Sequence, residues 1–247
     1  MIYDELTNNI TEWIKERVNA ARVKSVVLGL SGGIDSGVTA ALCARALGAE
    51  SVLGLVMPCG SIPEDTRDGH RTARHLGIAV KEIELSGVLD AFVSAGKLDT
   101  TDVLNLANAK ARLRMTMCYA HSKNRLVAGT GNLSETVTGY WTKWGDGAAD
   151  FLPIAELWKD EVRELAKYLE LPLWVVDRVP SAGLWVNQSD EGEMGVTYDE
   201  IKKYFTGGAE SVSSAAAERI AGLHSSSAHK REPIPVFHAR RWLDERH

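Results

Sequence analysis

The chain has 247 residues, 45% of them hydrophobic and 25% charged, with a formal net charge of −5. That is enough apolar sequence for a full core in a single domain, and the negative balance gives no electrostatic case for a nucleic-acid partner. Cys43, Cys59 and Cys118 form no C-x-x-C pair. They argue against a zinc site, a disulfide framework or sulfur transfer, and for a cytoplasmic setting. The N-terminus is amphipathic and acidic rather than a signal peptide, and no apolar run approaches a membrane span.

Taken in order, residues 3–22 place Leu6, Ile10, Ile14 and Val18 on one stripe, which predicts a packing helix against the sheet or a second subunit. Residues 26–30 are an apolar run that reads as a buried parallel strand, and residues 38–47 read as a helix lying on it. Residues 51–57 give a second strand, 64–76 a charged helix and 78–85 a third strand. This βαβαβ order implies a parallel sheet with right-handed crossovers and ligands at the carboxyl ends of the strands.

Residues 99–121 form a long helix, with Leu104, Ala107, Ala111, Met115 and Cys118 as its core face. A fourth strand is expected over 125–130 and a fifth, short one over 151–154. Helices follow over 159–170, 174–179, 198–205 and 209–223, with a polar loop over 185–196 and a polar tail from Ser225. The fold expected is an open five-stranded parallel sheet with helices on both faces and a helical C-terminal part. Its parts are an N-terminal helix (1–24), an α/β core (25–155) and the helical remainder (156–247).

The turn between the first strand and its helix reads Ser31, Gly32, Gly33, Ile34, Asp35, Ser36. It is neither a Walker A motif nor G-x-G-x-x-G. Strand, tight glycine turn and helix start aim backbone N–H groups at an anion. Ser31 and Ser36 add hydroxyl donors. Asp35 is negative beside the expected phosphates, which makes sense as a Mg²⁺ ligand. The loop holds no lysine, so the balancing charge must come from elsewhere. Taken alone, Ser-Gly-Gly also fits an ordinary turn with Asp35 or Ser36 as N-cap.

SGGIDS resembles the PP-loop of the ATP pyrophosphatases. Its combination with NAKARLRM, GTGNLSE, GYWTKWGDGAAD, Lys159 and AHKRE is similar to the ammonia-dependent NAD synthetases, over nearly the whole chain. GMP synthetase-like and tRNA-modifying relatives share the loop but not the later strings.

The resemblance implies an adenine-nucleotide α-hydrolase-like fold, a homodimer, and ATP-dependent amidation of deamido-NAD by ammonia through an adenylated carboxylate, releasing AMP and pyrophosphate. It implies that Gly29, Leu30, Ser31, Gly32, Gly33, Ile34, Asp35, Ser36, Thr130, Lys159 and Ser181 contact ATP. Asp35 and Glu135 would ligate Mg²⁺, and Asp35, Ser36 and Lys159 would act in catalysis. Arg112, Lys143, Asp150, His229 and Lys230 would contact deamido-NAD. The base for ammonium is not readable, Asp146 being the one candidate. Gly183 departs from a position where the family often has aspartate. The residue types also admit plainer readings: Glu135 as a helix cap, Lys159 as a solvated helix-start lysine, Arg112 as a surface arginine, and His229 and Lys230 as a disordered tail.

Overall fold

A computed structural model describes residues 2–178 and 189–244. In chain order it contains α1 (Ile2–Ala20), β1 (Ser25–Gly29), α2 (Ile34–Leu47), β2 (Val52–Val56), α3 (Pro63–Leu76), β3 (Ala79–Glu82), α4 (Ser86–Gly96), α5 (Val103–Ala120) and β4 (Arg125–Val127). Then come α6 (Leu133–Thr138), α7 (Lys159–Tyr168), α8 (Leu173–Val176), α9 (Asp190–Met194), α10 (Tyr198–Gly207), α11 (Ser214–Ser226), α12 (Ala228–Arg231) and α13 (Ala239–Asp244).

The sheet is parallel with strand order β3-β2-β1-β4, so β1 is interior and its loop opens at the middle of the carboxyl edge. Successive side chains of β1 point to opposite faces. Val26 and Leu28 join Ile14, Val18, Leu42, Leu165 and Val175 beneath α1, α2, α7 and α8. Val27 joins Leu55, Leu85, Cys118 and Val127 on the face covered by α4 and α5. Burying each such Val or Leu contributes about 1.5–3 kcal/mol, so both faces hold the strand that carries the loop. A third cluster, Met194, Val196, Tyr198, Ile201 and Ile220, packs α9, α10 and α11 with Val137 of α6.

The described sheet has four strands, not the five expected. Residues 151–154 contribute only a single parallel bridge, Phe151 to Ala128. Pro153 lacks an N–H for the ladder, and the chain turns away there. The long helix starts at Val103 rather than 99, because Asp102 caps it, accepting from the backbone N of Asn105 at 3.0 Å. Asp99 instead accepts from Thr101 in a local turn.

Leu104, expected in the core, is 61% exposed. The α4 helix had no counterpart in the expected elements, and none of its residues is buried. The loop expected over 185–196 contains α9, and the polar tail contains α12. No described helix is long and apolar enough to cross a membrane.

Candidate functional site

After β1 the backbone N of Leu30 still donates to Leu55 O at 2.8 Å, then the chain turns at Gly32, whose φ is +79°. A Cβ there would sit 2.9 Å from the Asp68 Cβ and 3.0 Å from the Gly69 N, so α3 presses on the turn as closely as glycine permits. Ser36 staples the loop: its Oγ donates to Gly33 O at 2.9 Å and accepts from the backbone N of Ser31 at 3.3 Å. The Ser31 Oγ accepts from Gly33 N at 3.2 Å. Gly33 caps α2 without any side-chain cap, so this helix start is built to meet an outside acceptor.

The loop opens on a cleft of about 540 Å³. Gly29, Leu30, Ser31, Gly33, Ile34, Asp35 and Ser36 line it, with Thr130, Glu135, Asp146, Lys159 and Lys230. The expected nucleotide set is therefore brought to one place. Ser181 and Gly183 lie outside the described residues.

Lys159 supplies the charge the loop lacks. It stands at the first position of α7, 124 residues from Asp35, and is 3% exposed. Its Nζ reaches Asp35 Oδ2 at 2.5 Å and Glu135 Oε1 at 3.4 Å. Burial alone would pull this ammonium down, but the charges of Asp35 and Glu135 outweigh it and hold Lys159 above its ordinary value. The solvated-lysine reading is excluded.

Glu135 serves twice. Its Oε2 accepts from Asn132 N at 3.2 Å while Asn132 Oδ1 accepts from Glu135 N at 3.0 Å, a capping box for α6. Its other oxygen faces Lys159. Burial raises the Glu135 carboxyl well above the carboxylate range, Lys159 opposes that, and Asp35 adds to it.

Asn132 was not foreseen. Its Nδ2 donates to Asp35 Oδ1 at 2.9 Å, so Asp35 is held between an amide and an ammonium. Arg178 was missed too: it pairs with Asp65 and with Asp68 at 3.1 Å, and it lines the cleft. Asn132 lies inside the GTGNLSE string and opens an N-x-x-E capping pattern, but its reach to Asp35 leaves no mark in the sequence; Arg178 carried no signal.

Asp35 and Glu135 are hard oxygen donors on adjoining elements, 18% and 17% exposed at the side chain. Among the described residues no group of three or more His, Cys, Asp or Glu could hold a metal. The pair fits an ion such as Mg²⁺, which commonly takes one or two carboxylates and completes its shell with water and substrate phosphate.

The residues expected to hold the second substrate do not sit in the same cleft, Lys230 excepted. Arg112 Nε donates to Lys143 O at 3.1 Å, and Lys143 Nζ donates to His229 O at 2.7 Å. Lys230 Nζ donates to Gly139 O at 2.6 Å and Trp141 O at 2.5 Å. Asp150 Oδ2 accepts from Val127 N at 2.7 Å, and its Oδ1 accepts from Tyr119 Oη at 3.3 Å. Tyr119 and Trp144 line a second, more open hollow of about 580 Å³. Arg112, Lys143, Asp150 and His229 thus cluster around the 139–150 loop. That loop is dense for a reason: a Cβ on Gly147 would fall 1.9 Å from the Trp141 ring. Asp146 is exposed, lines the cleft and accepts from Thr142 N at 3.0 Å.

A central glycine turn, an uncapped helix start, and a buried lysine clamped by two carboxylates define a nucleotide-phosphate-binding α/β protein of the PP-loop type. The sequence profile of the NAD synthase family matches residues 6–234, and the chain belongs to that family. The NH(3)-dependent NAD(+) synthetase of Carboxydothermus hydrogenoformans is 43% identical over 234 residues, 93% of this chain and 95% of that one. The solved NMN synthetase of Francisella tularensis superposes with a TM-score of 0.90 at 38% identity, covering 96% of this chain and 98% of its own. The NH3-dependent NAD synthetase of Campylobacter jejuni, in complex with the nitrate ion, gives 0.82 at 32%, covering 96% and 100%. The GMP synthetase-like and tRNA-modifying alternatives fall away with this membership.

Proposed function

We propose that the protein is a ligase that amidates deamido-NAD with ammonia at the expense of ATP, giving NAD, AMP and pyrophosphate. One observation carries the reading: Lys159, buried and charged, sits between Asp35 and Glu135 at the mouth of the SGGIDS turn. A buried, fixed cation beside an anion-binding turn is a functional-site signal, because it adds positive charge where a substrate's phosphates would lie.

A carboxylate resists ammonia because it is anionic and its leaving group is poor. Adenylation removes both obstacles. The nicotinate carboxylate oxygen attacks the α-phosphorus of ATP, and the bond to the bridging oxygen breaks with release of pyrophosphate. The turn's N–H groups and the α2 start would hold the leaving pyrophosphate. Lys159 would place positive charge where negative charge develops, without reorganisation.

Ammonia then attacks the acyl carbon. The bond to the AMP oxygen breaks, and one nitrogen-bound proton leaves with AMP. Asp35 and Glu135 would hold Mg²⁺, which when bound neutralises phosphate charge. Arg112, Lys143, Asp150, His229 and Lys230 would receive the dinucleotide, Arg112 suiting its phosphates. A homodimer, as the family resemblance implies, would cover the exposed Ile2 and Trp13 of α1.

A product assay with ATP, Mg²⁺, ammonium and deamido-NAD tests this. AMP and pyrophosphate should appear in step with NAD, and ADP with phosphate would overturn it. The likeness to a protein named NMN synthetase favours a second reading, in which the acid acceptor is a mononucleotide. Comparing kcat/KM for deamido-NAD and its mononucleotide counterpart decides between them.

A further inference from the structure

The six-residue helix α6 is specialised at both ends. At its start, Asn132 and Glu135 close the capping box and reach Asp35 and Lys159. Its last turn leaves carbonyls without intrahelical donors. Gly139 closes that end at φ +67°, its N–H donating to Glu135 O and Thr136 O.

The side chains that grip this end come from residues 224–231. Arg231 Nη1 donates to Thr136 O at 3.3 Å, to Val137 O at 3.4 Å and to Ser227 Oγ at 2.7 Å, and its Nη2 donates to His224 O. His224 Nδ1 donates to Val137 O at 2.6 Å. Ser227 is 6% exposed and lies so close that a Cβ on Gly139 would fall 2.1 Å from the Ser227 Cβ. The guanidinium also meets the negative end of the helix dipole.

A helix this short does not hold its own orientation. It is about 9 Å long, so a tilt of about 10° at the carbonyl end moves the other end by about 1.5 Å. A misplacement of about 1 Å, set up far from the chemistry, can cost about 10²-fold in rate.

We propose that Arg231 is a positioning residue: by fixing the C-terminal carbonyls of α6 it sets where Asn132 and Glu135 meet Asp35 and Lys159. This rests on the amidation reading above, in which Glu135 would hold Mg²⁺. Neither Arg231 nor His224 lines the cleft, so both act through α6 rather than on a substrate.

Arg231→Gln keeps the length and removes the charge and the fork of donors. The affinity for Mn²⁺ in the presence of α,β-methylene-ATP, read by electron paramagnetic resonance, should fall about tenfold or more. The kcat for NAD formation should fall with it, while the KM for ammonium stays within about twofold. Arg231→Lys keeps the charge and should recover part of both losses. His224→Phe keeps a ring beside Phe205 and loses the donor to Val137 O. It should shift Mn²⁺ affinity the same way but less, and serves if Arg231→Gln does not fold, as circular dichroism would show. Val18→Ala, in the core beneath α1, should lower the melting temperature without moving Mn²⁺ affinity.

Mn²⁺ affinity and kcat within about twofold of wild type in folded Arg231→Gln would overturn the assignment. So would an equal loss of affinity in Val18→Ala, which would trace the effect to general stability. Wild type that holds Mn²⁺ with the analogue yet forms no AMP and NAD would instead overturn the amidation reading beneath it.

Discussion

Replacing Lys159 with methionine removes the cation and keeps most of the volume. Its Nζ holds Asp35 at 2.5 Å and Glu135 at 3.4 Å, in a residue only 3% exposed. Removing one partner from a buried ion pair costs about 3–5 kcal/mol, because the other charge is left uncompensated. Here the lower end, about 3 kcal/mol, is expected, since Asn132 still donates to Asp35 and both carboxylates keep some access to the cleft.

The loss should depend on pH with a defined sign. Burial already raises the Glu135 carboxyl, and Lys159 is the group that opposes it. Without Lys159 its folded pKa moves further above the unfolded value. The folded variant then binds more protons than the unfolded chain between those two values, and its stability falls as pH rises through that window. Wild type shares that loss up to about pH 8, so urea unfolding followed by tryptophan fluorescence should show a larger deficit against wild type at about pH 9.5 than at about pH 7. Pyrophosphate release should fall by about 10²-fold or more, the cost of one preorganised electrostatic contact. A variant that unfolds within about 1 kcal/mol of wild type and keeps kcat within about tenfold would refute the role assigned to this lysine.

Gly32→Ala places a side chain at φ +79° against α3, and should cost about 1–3 kcal/mol and raise the KM for ATP, measured by thermal melts and initial rates. Equal melts would show that the turn relaxes freely. Asn132→Ala removes the α6 cap and the amide on Asp35, and should cost about 0.5–2 kcal/mol by urea titration with a lower kcat. An unaltered kcat would mean that Asp35 needs no such support. Burial pushes the Cys43 and Cys118 thiols up to about 12 and raises that of Cys59. An aromatic disulfide reagent near neutral pH should therefore label none of these in the native protein and all three after denaturation, with rapid native labelling as the contrary result.

The parallel core was legible because β1 and β2 are apolar runs separated by helical periods, and the glycine loop because few roles need Gly-Gly between hydroxyls with aspartate behind. The fifth strand was overread: residues 151–154 look extended, but Pro153 ends the ladder after one bridge. The α4 helix was overlooked because none of its residues is fully buried, Leu89 packing half-buried on the core, so its pattern gives little core face. Glu135 could be read as a cap or as a functional carboxylate; one oxygen forms the cap and the other faces Lys159. Asn132 and Arg178 could not be found by spacing. What matters about them is which distant group they meet, and one chain read in order does not contain that.

Asp35 is gripped by Asn132 from 97 positions away and by Lys159 from 124. Such separations mean that loop closure must be largely complete before either grip exists, and contacts of this kind are slow to form. No fragment ending before residue 159 can own a finished nucleotide seat. Nucleotide should therefore bind the native chain and not its precursors, stabilising the finished fold by mass action. During refolding, the appearance of ATP affinity would then time the last docking of α7 rather than the first collapse of the sheet.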